Sequence, residues 1–346
     1  MKAFLSVVAA LALRAVDASP VVGRAPSDGD ILNYALTLEH LENTFYRQGL
    51  ENYTHQDFVD AGFADPFYHN VEKVAEDEKA HVDFLTEALS AAGASPVEEC
   101  IYAFPATDVK SFVALANVLE GVGVSAYLGA AASIMDKTYL TAAGSILAVE
   151  ARHSAYLRSN SDQSPFSQAF DAPLALNEVY TIASPFIASC PSSNPKLPVM
   201  AFPSLSVSPM GAVMENGSIT VTPSEELEMD SDVYAAFVAV TGPVFTPVEH
   251  TGSGYSVTVP PGIAGQSYVL LTSSQTNVTD DTVLAGPGIV EVGTPTTTDP
   301  MASPSMSSSP TGTMSGAPTF TGAASRDRGE AGGVVGAAAL VAAMLF

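Results

Sequence analysis

The segments EDEKAHVDFL (residues 76–85) and EARHSAYLR (residues 150–158) each contain the tetrapeptide Glu-x-x-His. The two pairs are Glu78 with His81 and Glu150 with His153. Apolar residues around both pairs recur at intervals of three and four, which is the spacing of a helix. Three residues turn a helix through about 300°, so the Glu and His of a pair share a face and can bind one ion.

Two further segments supply a second pair of carboxylates. LEHLENTFYRQGL begins at Leu38 and LEGVGVSAYLGAA begins at Leu119, and each places a Tyr seven residues after a Glu. These pairs are Glu39 with Tyr46 and Glu120 with Tyr127. The chain therefore repeats a Glu…Tyr helix followed by a Glu-x-x-His helix. Packing two such hairpins about a pseudo-twofold axis would bring four carboxylates and two imidazoles to the centre of a bundle.

The region from residue 28 to 190 predicts four long helices and a short fifth one. Their expected ranges are 30–48, 70–92, 108–132, 137–160 and 174–183. Asp108 is a typical N-cap residue, and Gly93 is typical of the position just after a helix end. Gly121 and Gly123 each cost a helix about 1 kcal/mol relative to Ala. They predict a close helix approach or room beside metal ions.

Four carboxylates gathered in a bundle centre are hard to explain without cations. A single buried carboxylate in apolar surroundings costs several kcal/mol unless it is paired or binds a metal. Two divalent ions balance four carboxylates, and oxygen donors with two imidazoles suit iron or manganese and do not exclude zinc. Ferritin-like dimetal proteins use this arrangement, with one Glu from each of two helices and Glu-x-x-His from each of the other two.

The four segments resemble the ferritin-like domain of fungal stress-response and late-sexual-development proteins, which are related to plant desiccation-associated proteins. The resemblance covers roughly residues 28–190, about half of the chain, and implies no settled reaction. It implies six metal ligands, and all six positions are filled: Glu39, Glu78, His81, Glu120, Glu150 and His153.

Several residues near the motifs keep more than one interpretation. Glu42 lies one turn after Glu39 and is the alternative ligand from the first helix; Glu39 is preferred because it matches Glu120 in the repeat. Tyr46 and Tyr127 are hydrogen-bond donors to the ligands, redox-active phenols or packed core residues. Three histidines are expected at surface or loop positions rather than as ligands: His40, His55 and His69.

Residues 197–293 have a different pattern, with short runs of Val, Ile, Thr and Tyr such as Ser218–Thr222 and Tyr268–Thr272. Pro and Gly punctuate these runs at intervals typical of an all-β sandwich. The fold class is therefore α plus separate β: a ferritin-like four-helix bundle, a small β-sandwich-like domain and a disordered Ser/Thr/Pro stalk. We identify no catalytic constellation in the β region.

Both chain ends are predicted to be targeting segments. Residues 1–18 have one basic residue, an apolar run and small residues before Ala18, as in a signal peptide. Residues 294–325 predict a glycosylated, disordered stalk. Residues 326–346 are the spacer and apolar tail of a GPI signal, with attachment at Gly322. The thirteen-residue apolar tail is short for a membrane span and has no basic residue after it, so no transmembrane helix is expected in the mature chain.

Cysteines and sequons agree with secretion. Cys100 and Cys190 are the only cysteines, and an even pair in an oxidising compartment favours a disulfide over two free thiols. Three Asn-x-Ser/Thr sequons predict N-glycosylation at Asn52, Asn216 and Asn277.

Charge excludes one class of partner. Lys and Arg total 13 against 37 Asp and Glu, which gives a net charge of −24. Such a surface repels nucleic acid phosphates, so no nucleic acid partner is expected. The expected partners are metal ions, O2 or peroxide, and the cell wall or membrane surface to which the lipid anchor attaches the chain.

Two functions follow from these features. The first is an extracellular, GPI-anchored dimetal oxidoreductase that oxidises Fe(II) or disposes of peroxide in a stress response. The second is a non-enzymatic protein of the cell surface or wall, acting in stress or development, whose metals are structural. Iron storage in a ferritin cage is disfavoured, because the β domain and stalk would crowd a closed shell.

Overall fold

The computed structural model describes residues 25–227, 232–252 and 254–293. The predicted signal peptide, stalk, GPI signal and attachment residue Gly322 lie outside the described residues. What is described is a helical region followed by a β domain.

Six α-helices form the helical region. They are α1 (Asp28–Asn52), α2 (His55–Asp60), α3 (Phe67–Ala91), α4 (Val109–Ala130), α5 (Lys137–Ser159) and α6 (Leu176–Ala183). All five predicted helices are present, with ends within four residues of the expected ones. The short α2 was not predicted, because it buries a single side chain and has no apolar periodicity. A capping box between Thr54 and Asp57 is the sequence signal that marks its start.

The long helices form two hairpins. α1 packs on α3, α4 packs on α5, and α1 also contacts α4. Asp108 caps α4 through the backbone N–H of Ser111, as predicted. Gly93 has φ +73° just after α3, where the N–H of Ala94 donates to the carbonyl of Leu89. These local signals set the helix ends, and hence the height of each motif in the bundle.

α4 is the central helix of the bundle. Among the described residues, the segment Val109–Ser133 alone is long and apolar enough to cross a bilayer by length and composition, with a mean hydropathy of 1.5. Its most apolar window is 67% buried within the protein, and the helix carries the fully buried Glu120. These features are typical of a core helix that is covered on several sides.

Ten strands complete the described structure. They are β1 (Ile101–Tyr102), β2 (Ile187–Ser189), β3 (Leu205–Ser208), β4 (Val213–Met214), β5 (Ser218–Pro223), β6 (Tyr234–Phe237), β7 (Val244–Thr251), β8 (Gly254–Thr258), β9 (Gly265–Thr272) and β10 (Val283–Gly293). β1 and β2 pair antiparallel beside the helical bundle. A disulfide between Cys100 and Cys190 joins the ends of this small ribbon.

The β domain is one curled sheet with the strand order β3-β5-β8-β7-β6-β9-β10-β4. Neighbours are antiparallel except β10 and β4, which are parallel. β7 connects the two halves, because residues 244–247 pair with β6 and residues 248–251 pair with β8. The sequence predicted a sandwich-like domain. The two halves share one apolar core as in a sandwich, but the sheet is continuous because a single strand belongs to both.

The β domain packs directly on the outer face of α4. The buried Tyr268 of β9 donates from its hydroxyl to the carbonyl of Gly121 at 3.0 Å. Gln266 donates to the carbonyl of Val118 at 3.0 Å. On the next helix, Arg158 makes a bidentate ion pair with Glu291 of β10, at 2.7 and 3.0 Å. No sequence pattern predicted these contacts, which join the two regions into one structure.

Candidate metal centre

The four long helices bring all six predicted ligands to the middle of the bundle. α1 supplies Glu39, α3 supplies Glu78 and His81, α4 supplies Glu120, and α5 supplies Glu150 and His153. The four carboxylates are 0% exposed, and the two imidazoles are 8% and 7% exposed. The centre is thus shielded from bulk water on the carboxylate side and nearly so at the histidines.

The Nδ1 atom of each imidazole faces the carboxylates. His81 Nδ1 lies 3.3 Å from an oxygen of Glu39 and of Glu78, and 3.2 Å from an oxygen of Glu150. His153 Nδ1 lies 3.0 Å from Glu78 Oε1 and 3.4 Å from Glu120 Oε2. Donor atoms from both hairpins therefore converge on the same small volume.

These donors form two overlapping groups. One contains Glu39, Glu78, His81 and Glu150, and the other contains Glu78, Glu120, Glu150 and His153. Within each group, one donor atom per residue lies within 4.8 Å of the others. Glu78 and Glu150 belong to both groups. This is the arrangement needed for two ions that share two bridging carboxylates, each ion having one further Glu and one His.

Several buried oxygen and nitrogen atoms at the centre are suited to bind cations, because they have no hydrogen-bond partner in the part of the chain that the structure describes. Buried atoms at the centre that make no hydrogen bond among the described residues are Glu39 Oε2, Glu78 Oε1, Glu120 Oε2, both carboxylate oxygens of Glu150, and His153 Nδ1. A buried polar atom left without a partner costs about 1 to 3 kcal/mol. Two divalent ions would satisfy these atoms, and the mixed oxygen and imidazole set suits iron, manganese or zinc.

Burial raises the pKa of most carboxyl groups at the centre. It raises the pKa of Glu39 to about 7, and burial followed by the charge of Glu78 also raises the pKa of Glu120 and of Glu150. Glu78 is the exception. Burial opposes its ionisation, but the imidazoles of His153 and His81, at 3.0 and 3.3 Å, outweigh burial and lower the pKa of Glu78 to about 2.

The pKa values of the two imidazoles are also raised, which favours their charged form. Burial lowers the pKa of both rings, but the close carboxylates of Glu150 and Glu39 outweigh burial and raise the pKa of His81 to about 12. The neighbouring carboxylates of Glu120 and Glu78 raise the pKa of His153 to about 10. The raised pKa values of the two imidazoles favour protons on the rings beside these carboxylates, and a metal ion bound there would displace them.

Two tyrosine hydroxyls orient the ligands that are not shared. Tyr46 of α1 donates to Glu120 of α4 at 2.5 Å, and Tyr127 of α4 donates to Glu39 of α1. Both phenols are buried, and burial followed by the neighbouring carboxylate raises the pKa of each well above its usual value. Both hydroxyls donate to predicted ligands and both rings also pack in the apolar core, so the donor and core interpretations hold together.

Glu42 lies beside the centre but outside both donor groups. It is 4% exposed, and its pKa is raised well above the usual value by burial and then by the charge of Glu150. A Cβ added at Gly123 would lie 3.1 Å from an oxygen of both Glu42 and Glu150. Gly123 thus leaves room for these carboxylates, as one of its two interpretations predicted. Gly121 instead faces the side chain of Gln266 in the β domain.

Asp77 is a residue of the site that the sequence analysis missed. Its Oδ2 lies 3.4 Å from Nε2 of His153, the ring nitrogen that faces away from the carboxylates. A carboxylate behind a metal-binding imidazole fixes the ring orientation. Asp77 comes directly before Glu78, whereas the equivalent residue before Glu150 is Val149. The internal repeat could not reveal it because the two halves differ here.

The other predicted residues fall into three sets. His40 is buried, with Nε2 3.1 Å from the carbonyl of Val97, so the expectation of a surface or loop position was wrong. His55 and His69 are partly or largely exposed, at α2 and the start of α3. The three sequon asparagines Asn52, Asn216 and Asn277 are exposed.

Comparison with known proteins agrees with this geometry. Residues 27–163 match the family model for the ferritin-like domain. The chain is also 25% identical over 256 residues to Protein rds1 of Schizosaccharomyces pombe, an alignment that covers 72% of this chain and 61% of the relative. The chain thus spans about three fifths of the length of the curated relative it matches. The two matches confirm the resemblance to the ferritin-like family of fungal stress-response proteins.

Proposed function

We propose, from the premise that residues 27–163 are a ferritin-like domain, that this domain binds two ions of iron or manganese and acts as an oxidoreductase on Fe(II), O2 or peroxide. The observation that carries the proposal is the pair of buried donor groups that share Glu78 and Glu150. When bound, two redox-active ions would share a two-electron change between them.

Each of the six predicted ligands has a distinct part in this proposal. Glu78 and Glu150 belong to both donor groups and would contact both ions; Glu39 and His81 would complete one set of donors, and Glu120 and His153 the other. Both oxygens of Glu150 make no hydrogen bond, so this carboxylate can bind through one or both of them.

Surrounding residues hold the donors in place and keep water out. The hydroxyls of Tyr46 and Tyr127 each fix one oxygen of a carboxylate that is not shared. Asp77 fixes the ring of His153. Because the four carboxylates are fully buried and the two histidines are slightly exposed, the proposed access for O2, peroxide or Fe(II) is from the histidine side of the centre.

The proposed location is the outer face of the plasma membrane or the cell wall. It requires removal of residues 1–18 and GPI attachment at Gly322. The disulfide between Cys100 and Cys190 supports an oxidising compartment. The exposed positions of the three sequons support access to glycosylation.

A second function also has an observation in its favour. The six ligands come from both hairpins, so two ions would cross-link the whole bundle. A non-enzymatic surface or cell-wall protein of stress or development, stabilised by its metals, would need the same residues. Activity rather than metal content separates this function from the first.

The test is metal analysis followed by turnover. We would produce the chain in a secreting host and measure bound metals by mass spectrometry, beside a Glu78→Ala/His81→Ala/Glu150→Ala/His153→Ala variant. About two iron or manganese ions per chain, lost in the variant, are expected. Fe(II) oxidation or peroxide consumption above that of free metal would support the enzyme. Bound metal without such activity would support the structural function, and folded protein without metal would contradict both.

A further inference from the structure

A second cluster of metal-binding side chains lies on the surface, at the junction of α2 and α3. It consists of His55, Asp65 and His69, and one donor atom from each residue lies within 4.8 Å of the others. None of the three belongs to the buried centre. The cluster combines two imidazoles with a carboxylate, so it differs from the acidic surface groups that abound on this chain.

The backbone under the cluster is fixed by the aromatic core. His55 is the first residue of α2, whose Phe58 is fully buried, and His69 is the third residue of α3, whose Phe67 is 1% exposed. The ring of Phe63 stacks on Phe67 with a centroid distance of 4.6 Å. The first turns of α2 and α3 are therefore fixed relative to each other. This limits the conformational entropy that is lost when the three ligands come together.

The contacts within the cluster resemble a site before its ion is bound. His55 Nε2 lies 2.6 Å from Asp65 Oδ1, and the rings of His55 and His69 stack 5.5 Å apart at an interplanar angle of 17°. His69 Nδ1 lies 2.9 Å from Glu72 Oε2, which leaves Nε2 of that ring as the donor for an ion. A carboxylate behind the imidazole is the usual support of a metal-binding histidine.

We propose that His55, Asp65 and His69 bind one divalent transition-metal ion, such as Zn²⁺, at the surface of the bundle. Two imidazoles with one carboxylate favour such ions over Mg²⁺ or Ca²⁺, which prefer all-oxygen sites. The side chains are 42%, 63% and 64% exposed, so water fills the remaining coordination positions. A net charge of −24 raises the local concentration of cations at this surface.

The surface site is separate from the buried centre. His69 and Glu78 lie nine residues apart on α3, a distance of roughly 14 Å along the helix. No ligand is common to the two sites. The surface site can therefore be tested independently of the proposed oxidoreductase, because variants of either site leave the donors of the other in place.

Zinc titration of the full chain tests the proposal. Isothermal titration calorimetry at neutral pH would compare the wild type with His55→Gln/His69→Gln and with His250→Gln, which removes an exposed histidine from β7 as a matched control. We expect the double variant to bind one zinc ion fewer per chain than the wild type and the control. Equal stoichiometry and affinity in all three proteins would overturn the proposal.

A second measurement locates the ion. Ring-proton NMR signals of His55 and His69, assigned from the variants, should shift on addition of zinc while those of His250 stay unchanged. Asp65→Asn should weaken the zinc response without altering the melting temperature, because its side chain is exposed. Zinc binding that leaves the His55 and His69 signals unmoved would place the ion elsewhere and refute the assignment.

Discussion

The hydroxyl of Tyr46 donates to Glu120 at 2.5 Å, although the two residues lie 74 positions apart and on different hairpins. Tyr127 makes the reciprocal bond to Glu39. Each hairpin therefore orients a metal ligand of the other, and the two bonds follow the pseudo-twofold relation of the motifs. This coupling makes the geometry of the centre depend on the correct packing of α1 against α4.

Removing one hydroxyl should weaken the centre without destroying the fold. Tyr46→Phe leaves an oxygen of Glu120 without its donor, which we expect to cost about 1 to 3 kcal/mol of stability. We also expect metal affinity to fall by about 10-fold to 100-fold. Metal competition assays and thermal unfolding would measure both effects. Tyr53→Phe is the control, because that hydroxyl donates to the carbonyl of Ala106 and touches no ligand; an equal loss in both variants would contradict the assigned role.

Glutamine variants should show which of the two candidate ligands of α1 binds metal. Glu39→Gln is expected to lose bound metal, because Glu39 belongs to a donor group. Glu42→Gln is expected to retain both ions and to raise the melting temperature of the metal-free protein. The reason is that burial and then the charge of Glu150 raise the pKa of Glu42. Metal analysis and calorimetry of the two isosteric variants decide the question, and metal loss in Glu42→Gln alone would make Glu42 the ligand.

Two glycine substitutions should have different effects: one should lower metal content and the other should raise stability. Gly123→Ala places a Cβ 3.1 Å from oxygens of Glu42 and Glu150, closer than such contacts normally come, and should lower metal content. Gly144→Ala in α5 meets no atom within 4 Å and should stabilise the protein by about 0.5 to 1 kcal/mol through helix propensity. Metal analysis and denaturant unfolding of the pair provide the check. Unchanged metal content in Gly123→Ala would show that the added Cβ does not displace the carboxylates, and would contradict this prediction.

Stability should depend on the protonation of Glu178 in α6. Burial, with a smaller effect of Asp280, raises the pKa of Glu178 above its usual value of 4.5. As pH rises from 4.5, the unfolded chain loses this proton before the folded chain does, so the contribution of Glu178 to stability declines. Glu178→Gln stays uncharged and can still accept the N–H of Ala175. Its melting temperature relative to wild type should therefore increase with pH over this window.

A pH series of melting curves would measure the Glu178 effect. Glu87→Gln serves as the control, because Glu87 is an exposed residue of α3. The control measures how the same Glu-to-Gln change at an exposed position alters the melting temperature across the series. If Glu178→Gln behaved in the same way as this control, the buried carboxyl would not be the source of the pH dependence.

The disulfide should contribute strongly to stability. It links residues separated by 90 positions, and closing such a loop in the unfolded chain corresponds to about 4.6 kcal/mol. Cys100→Ser/Cys190→Ser should therefore unfold at a lower urea concentration than the wild type. Adding a reductant provides the matched comparison, since it should destabilise the wild type and leave the double variant unchanged. A reductant effect of equal size on both proteins would show that it acts elsewhere.

Sequence alone determined the helical bundle and its candidate ligands. The spacing of Glu78 and His81 is local, since the helix repeat places residues three apart on one face wherever the helix lies. The same holds for Glu150 and His153, and the repeated Glu…Tyr spacing pointed to Glu39 and Glu120. Caps such as Asp108 are also local, because their hydrogen bonds close within one turn.

Tertiary structure decided how these residues meet. The sharing of Glu78 and Glu150, the bonds of Tyr46 and Tyr127 across the hairpins, and the contact of Asp77 with His153 all join different helices. The curl of the β domain through β7 and its contact with α4 are likewise non-local. Helix and strand periodicities specify which face of an element is apolar, but the packing of those faces selects which polar groups come within bonding distance.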